Sequence, residues 1–404
     1  MPSSQKNEEL AVIFDIGSGS IGGALVLLPI EKPDQSFDLL TLGFEENKKQ
    51  KPKVLFTTRS QITFGENFNS ENFLVQMTKA LTDVAGKIEA VHLGAPVKAY
   101  CFLASPWQAS QARIIRQNRY TPFILTSKML SELVEKEINL FGQMQADQHT
   151  ALGENIQLLN TEIMQVKLNG YKTSDPFGKK AKEMETALFV SISPDRVLGS
   201  LKYHIEKFFS LDVKFYSFPF VSFVVSRDIF PNESNFLIVD IAGELTDITL
   251  IKDEILEESI SFPRGKNYFV RELGRRLNKN TDESKTLMNL FLSGRAEKKI
   301  SENIKNTLKI SKNDWLRSFG ESLLEISSNK SLPTQVYLAA DPEIANWIKS
   351  IIEEDQLHQY TVTESKFNVT ILKSESLGQF AALGPKAHSD SFLILESIFI
   401  NRVR

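Results

Sequence analysis

The chain has 404 residues, of which 42% are hydrophobic and 24% charged, with a formal net charge of -3. That is enough apolar material for a sizeable core, and at roughly 150 residues per unit it predicts two or three units. The slight acidity gives no footing to a nucleic-acid partner, and five scattered histidines with one cysteine leave no zinc cluster.

Cys101 has no internal disulfide partner, which fits a reducing cytoplasm. Residues 1–9 are polar and unlike a signal peptide, and no apolar run approaches the roughly 20 residues that cross a bilayer. Leu10 to Ile16 and Ile21 to Leu28 are apolar, β-branched runs that predict two buried strands. Gly17, Ser18, Gly19 and Ser20 form the tight turn between them. Asp15 is out of place in such a run, because a buried carboxylate is costly unless it is paired, hydrogen-bonded or facing a cation. An acid followed by two glycines and two hydroxyls is a cradle suited to a phosphate and its magnesium ion.

Asp38 to Glu45 and Val54 to Phe64 predict further strands. Ser70 starts a helix to about Ala85, with Phe73, Met77, Leu81 and Val84 on one face. Ala90 to Ser105 reads as strand interrupted at Pro96. Arg113, Arg116 and Arg119 lie on an edge strand or loop, either solvated or facing an acidic partner. A helix is expected from Thr126 to Phe141 and a loop from Gln143 to Glu154. Strands Asn160 to Leu168 and Glu183 to Ser193 flank the turn-rich Asn169 to Gly178.

A helix from Pro194, a short strand from Val213 and a buried helix over Phe218 to Phe230 follow. The opening plan then returns: an apolar strand from Phe236, Asp240, a small-residue turn at Ala242-Gly243, Thr246, and an apolar strand to Ile251. This looks like an internal duplication. Helices are predicted after Pro263 and over Thr281 to Phe291, Lys299 to Ser328, Asp341 to Glu353 and Leu377 to Leu383. Strands are predicted at Gln335 to Ala340 and Asn368 to Leu372. From Asp390 a tail helix sets Phe392, Leu395, Phe399 and Val403 on one face.

The paired hairpins resemble the two phosphate motifs of the actin-like ATPase superfamily. Asn169-Gly170-Tyr171, followed by Pro176 and Gly178, resembles the small inserted subdomain (SHS2, or 1C) of its cell-division FtsA and pilus PilM branch. The resemblance implies a two-lobed, actin-like (ribonuclease H-like) α/β fold. Its parts would be a tail over 1–9, a first lobe over 10–107, the insert over 108–193, a second lobe over 194–384 and a tail helix over 385–404. It implies ATP and Mg2+ between the lobes, with Asp15 and Asp240 holding the metal through water. Gly17, Ser18, Gly19, Ser20, Gly243 and Thr246 would grip the phosphates, and Ser284, Lys285, Ala340 and Asp341 would lie at the adenosine.

Departures temper that expectation. Ala242 and Glu244 stand where the superfamily has glycines, and Leu338 to Glu343 has none where it has a glycine-rich loop. Nucleotide binding is therefore expected to be weak and hydrolysis slow or absent. The function implied is an FtsA-like cytoplasmic scaffold that binds ATP and links a division machine to the membrane or to partner proteins. A PilM-like pilus scaffold, a sugar-kinase or chaperone-type ATPase, and a degenerate protein without nucleotide are the alternatives. Partners implied are division or pilus proteins and other copies of the chain. The tail helix either touches the inner face of the membrane or packs on the core.

Overall fold

A computed structural model describes residues 8–30, 50–64, 70–149, 155–327, 331–361 and 365–403. The strand expected over Asp38 to Glu45 lies outside the described residues. In chain order the elements are β1 (Glu8–Ile16), β2 (Ser20–Pro29), β3 (Lys53–Gln61), α1 (Ser70–Ala90) and β4 (Lys98–Leu103). Next come β5 (Ala109–Ile124), α2 (Ser127–His149), β6 (Ile156–Leu168), β7 (Tyr171–Lys172) and β8 (Lys180–Pro194). They are followed by α3 (Asp195–Glu206), β9 (Val213–Ser217), α4 (Phe218–Ile229), β10 (Phe236–Ile241), β11 (Thr246–Lys252) and β12 (Ile255–Phe262). The remainder is α5 (Lys266–Leu277), α6 (Thr281–Leu292), α7 (Lys298–Ser327), β13 (Gln335–Ala340), α8 (Pro342–Ile352), β14 (Asn368–Ile371), α9 (Ser374–Leu377), β15 (Ala382–Lys386) and α10 (Ser391–Arg402).

The duplication read from the hairpins extends to whole sheets. One sheet runs β15-β3-β2-β1-β4-β9 and the other β12-β11-β10-β13-β14. In each, a central strand pairs antiparallel with the strand after it and parallel with a later one: β1 with β2 and β4, β10 with β11 and β13. Side chains alternate across a strand, so each sheet has two apolar faces to cover. Val12, Phe14 and Ile16 face α1 and α3, whereas Ala11 and Ile13 face a middle layer. Leu237, Val239 and Ile241 face α5 to α8, whereas Phe236 and Ile238 turn to the same middle layer.

That middle layer is α4 and α10. The tail helix is neither a surface helix nor a membrane anchor: Leu393 to Ile400 is buried without interruption. A helix apolar all round belongs between two surfaces rather than on one. Phe399 meets Phe102, Tyr216 and Phe220 at ring-centroid distances of 6.0, 5.0 and 5.7 Å. The one-sided stripe read from Phe392, Leu395 and Phe399 misses Ile394, Ile398 and Ile400 on the other sides.

Two further expectations change. α2 continues to His149 instead of yielding to a loop at Gln143, and the helix expected over Leu377 to Leu383 is absent: a single helical turn, Ser374–Leu377, ends where it was to begin, and β15 starts at Ala382. The residues of 109–194 build a separate four-stranded sheet, β5-β8-β6-β7, whose core with α2 centres on Leu125, Phe141, Val166, Leu188 and Val190. In it Arg113 pairs with Glu137, Arg116 with Glu185, and Arg119 lies over the Phe123 ring, so this basic row is engaged internally. No helix of the described residues is long and apolar enough to cross a membrane.

Candidate functional site

The period-two alternation that fills the sheets also aims the acids. Asp15 shares the Ala11–Ile13 face and Asp240 the Phe236–Ile238 face, so both carboxyls point into the middle layer at the ends of their strands. Asp247, opposite Asp240 in register, points the same way. Thr246, one residue earlier, must point to the other face. Its hydroxyl donates to the Arg264 carbonyl at 2.8 Å and accepts from the Trp315 indole at 3.2 Å.

Asp15 is buried, and its partner is Arg59 of β3, with Nη2 2.8 Å from Oδ2. Arg59 reaches it because Gly22 lies opposite in register and has no side chain; a Cβ there would stand 2.7 Å from Nη2. The same guanidinium donates to both oxygens of Asp390, at 2.8 and 3.0 Å, and to Ser20 Oγ at 2.9 Å. Asp390 also caps α10 by accepting from the Leu393 N–H. Burial raises the Asp15 carboxyl above its usual range, and the Arg59 charge pulls it back. Glu396 of α10 is fully buried beside Asp15 and is pushed well above the usual range by burial and by that neighbour. As two carboxylates they have nothing to donate to each other, so a bond between them forms only when one carries a proton.

The second hairpin has a different charge arrangement. Burial, then Asp247, then Asp15, push Asp240 well above the usual carboxylate range, favouring the neutral acid. Burial lifts Asp247 to about 6 against hydrogen bonds from Ser261 and Ser105. Glu244, which stands where the superfamily has a glycine, is held by α5: Arg271 grips both its oxygens and Asn267 donates to one at 2.8 Å.

The two turns touch. A Cβ on Gly243 would stand 2.3 Å from Gly19 Cα and 2.5 Å from its nitrogen, and the Glu244 N–H donates to Ser18 Oγ at 2.9 Å. The Gly17 N–H is spent on the Ser20 carbonyl. At the expected adenosine end, Asp341 is held by Lys266 Nζ at 2.9 Å and Ala340 is buried at the end of β13. Ser284 is buried, donating to the Asn280 carbonyl, and Lys285 lies 4.4 Å from the Phe64 ring. The structure thus gathers Asp15, Gly17, Ser18, Gly19, Ser20, Asp240 and Gly243 at one place and sets Thr246 and Ser284 apart from it. In this arrangement the residues do not fit a nucleotide and its metal: the space between the turns is filled by the turns, and Asp15 already has a cation. Arg59, Phe64, Asp390 and Glu396 were missed by the sequence reading. The signal for Arg59 was Gly22, a glycine inside a strand that marks a close approach.

Duplicated five-strand cores, facing hairpins and acids at matched strand ends define the actin-like ATPase fold, and the chain has it. In architecture it is similar to the solved PilM-PilN type IV pilus biogenesis complex, with 98% of each chain covered, a TM-score of 0.58 and 12% identity. At that identity the likeness is one of fold. The ethanolamine utilization protein EutJ from Carboxydothermus hydrogenoformans aligns over 100% of this chain and 91% of that one at 10% identity and a TM-score of 0.42. MreB 5 of Spiroplasma citri, solved bound to AMPPNP, aligns over 98% and 96% at 10% identity and a TM-score of 0.43. No family model matches the sequence, and no curated protein matches it.

Proposed function

We propose that this chain is an actin-fold scaffold of the PilM type, which assembles with partner proteins of a type IV pilus machine and turns over little or no ATP. The observation that carries the reading is the alignment over 98% of both chains with a protein solved in a pilus biogenesis complex, a span that takes in the sheet of residues 109–194. That sheet, with the Asn169-Gly170-Tyr171 turn, is the proposed surface for partners or for further copies of the chain. The proposed place of work is the cytoplasmic face of the membrane, reached through those partners, since α10 is core. The FtsA-type division scaffold is the competing reading. ATP with Mg2+ is proposed only for a form in which the two turns part.

Co-expression of the full chain with the PilN-type proteins encoded in the same genome tests this, with co-purification as readout. A stable complex is expected. Failure with all of them, together with capture of a division protein, would move the assignment to the FtsA type. Phosphate release from ATP should stay near the uncatalysed rate.

A further inference from the structure

A nucleotide with its metal needs three things where the two lobes meet: room between the turns, an unpaired carboxylate, and a surface for a flat ring. The same short segment of the first lobe bears on the last two. Arg59, near the end of β3, sets its guanidinium 2.8 Å from Asp15 and is locked there by Asp390 and Ser20. Ile62 then ties the segment to the first turn, its N–H donating to the Gly19 carbonyl at 2.9 Å. Phe64 crosses to the second lobe, packs against its core, and lies with its ring 4.4 Å from Lys285 Nζ and 5.5 Å from the Arg271 guanidinium. An aromatic ring with cations over its face is a favourable contact in its own right.

We propose that residues 59–64 are an intramolecular occupant of the nucleotide cleft. The guanidinium of Arg59 takes the place of the divalent cation at Asp15, and the ring of Phe64 takes the place of the base on Lys285. Arginine suits the first role: it is charged at every working pH, and its planar fork can satisfy several acceptors at once, here Asp15, Asp390 and Ser20 Oγ. The occupant is covalently attached, so it competes with free ligand at an effective concentration that short tethers place in the millimolar range or above. Beside this segment the two turns meet directly, Gly19 on Gly243. The inference concerns this chain's cleft alone and does not rest on the scaffold reading; partner binding plays no part in its test.

The test uses the full-length chain and its Arg59→Gln, Phe64→Ala and Arg59→Gln/Asp15→Asn variants, each checked for folding by circular dichroism. Binding of Mn2+ is followed by loss of the free-ion paramagnetic resonance signal, and binding of Mg2+-ATP by calorimetry. Arg59→Gln should bind Mn2+ with ATP at least about tenfold more tightly than the unaltered chain, and the added Asp15→Asn should abolish that gain. Phe64→Ala should tighten ATP while leaving Mn2+ alone unchanged. Binding by the unaltered chain as tight as by Arg59→Gln overturns the proposal. So does absence of binding in every folded variant, because Arg59 and Phe64 would then not be what keeps ligand out. Should Arg59→Gln not fold, Phe64→Ala decides by itself: no gain in ATP affinity refutes the occupant.

Discussion

The first hairpin sets Asp15 across from Gly22, and the second sets Asp240 across from Asp247. The register is the same in both, and the residue across from the acid differs. Where it is glycine, an arginine from the next strand lies over the gap and meets the acid. Where it is a second acid, two carboxyls share a buried face and each is driven toward its neutral form. Duplication therefore preserved the geometry of the acids and left their charge to one position on the neighbouring strand. A motif defined by the acids alone is blind to this.

The comparison breaks most severely at Arg59. Arg59→Met strands Asp15 and Asp390 without a cation, and loss of one partner from a buried pair costs about 3–5 kcal/mol. Urea unfolding should show that loss, whereas Asp240→Asn in the second hairpin should leave stability equal or higher. A loss under about 1 kcal/mol would mean that the pair holds nothing together.

The acid–acid side is sharpened by Asp247→Asn. In the folded chain the Asp247 carboxyl, lifted to about 6, lies above its ordinary value of 3.8. Between those values the native chain still holds a proton that the unfolded chain has released, so stability falls as pH rises through that window and the deficit is complete above it. The asparagine variant should therefore be more stable by about 3 kcal/mol at neutral pH and no different near about pH 3.5. Denaturation curves at the two pH values check the sign; a gain that persists in acid would refute it.

Gly243→Ala pushes a methyl into the Gly19 backbone and should cost about 1–3 kcal/mol as the turns are driven apart. Hydrogen exchange should rise at both turns together. The smallest effect is expected from Ser18→Ala, which leaves the buried Glu244 N–H without its acceptor, at about 1 kcal/mol in thermal unfolding. If Ser18→Ala cost more than Gly243→Ala, the hydroxyl and not the backbone contact would be what joins the lobes.

The sheets were legible in the sequence because their signals are local. Apolar runs, an acid at a fixed place and a small-residue turn recur at 10–28 and 236–251, and the fold follows from their repetition. The state of the cleft was not legible. Arg59 reads as one charge in an alternating strand, and Asp390 as a helix cap; only the fold brings them together across 331 positions. Likewise Glu244 reads in the sequence only as a departure from glycine, and its partners Arg271 and Asn267 lie on a helix 23 to 27 positions away. The place of the tail was left open between membrane and core because a helix packed on several sides still shows a stripe when only its largest residues are counted.

The burial of α10 between the sheets has a consequence for synthesis. Thr57 is hydrogen-bonded to His388 across 331 positions, and the inner face of the first sheet is covered by a helix made later still. At translation rates of about 5–20 residues per second, the ribosome needs tens of seconds to travel that far. Throughout that time Ala11, Ile13, Ala24, Val26 and Phe102 lack the part of their cover that α10 supplies, so the nascent chain keeps an apolar face open. A chain released before residue 391 would keep that face bare and should be cleaved by added protease faster than the full chain.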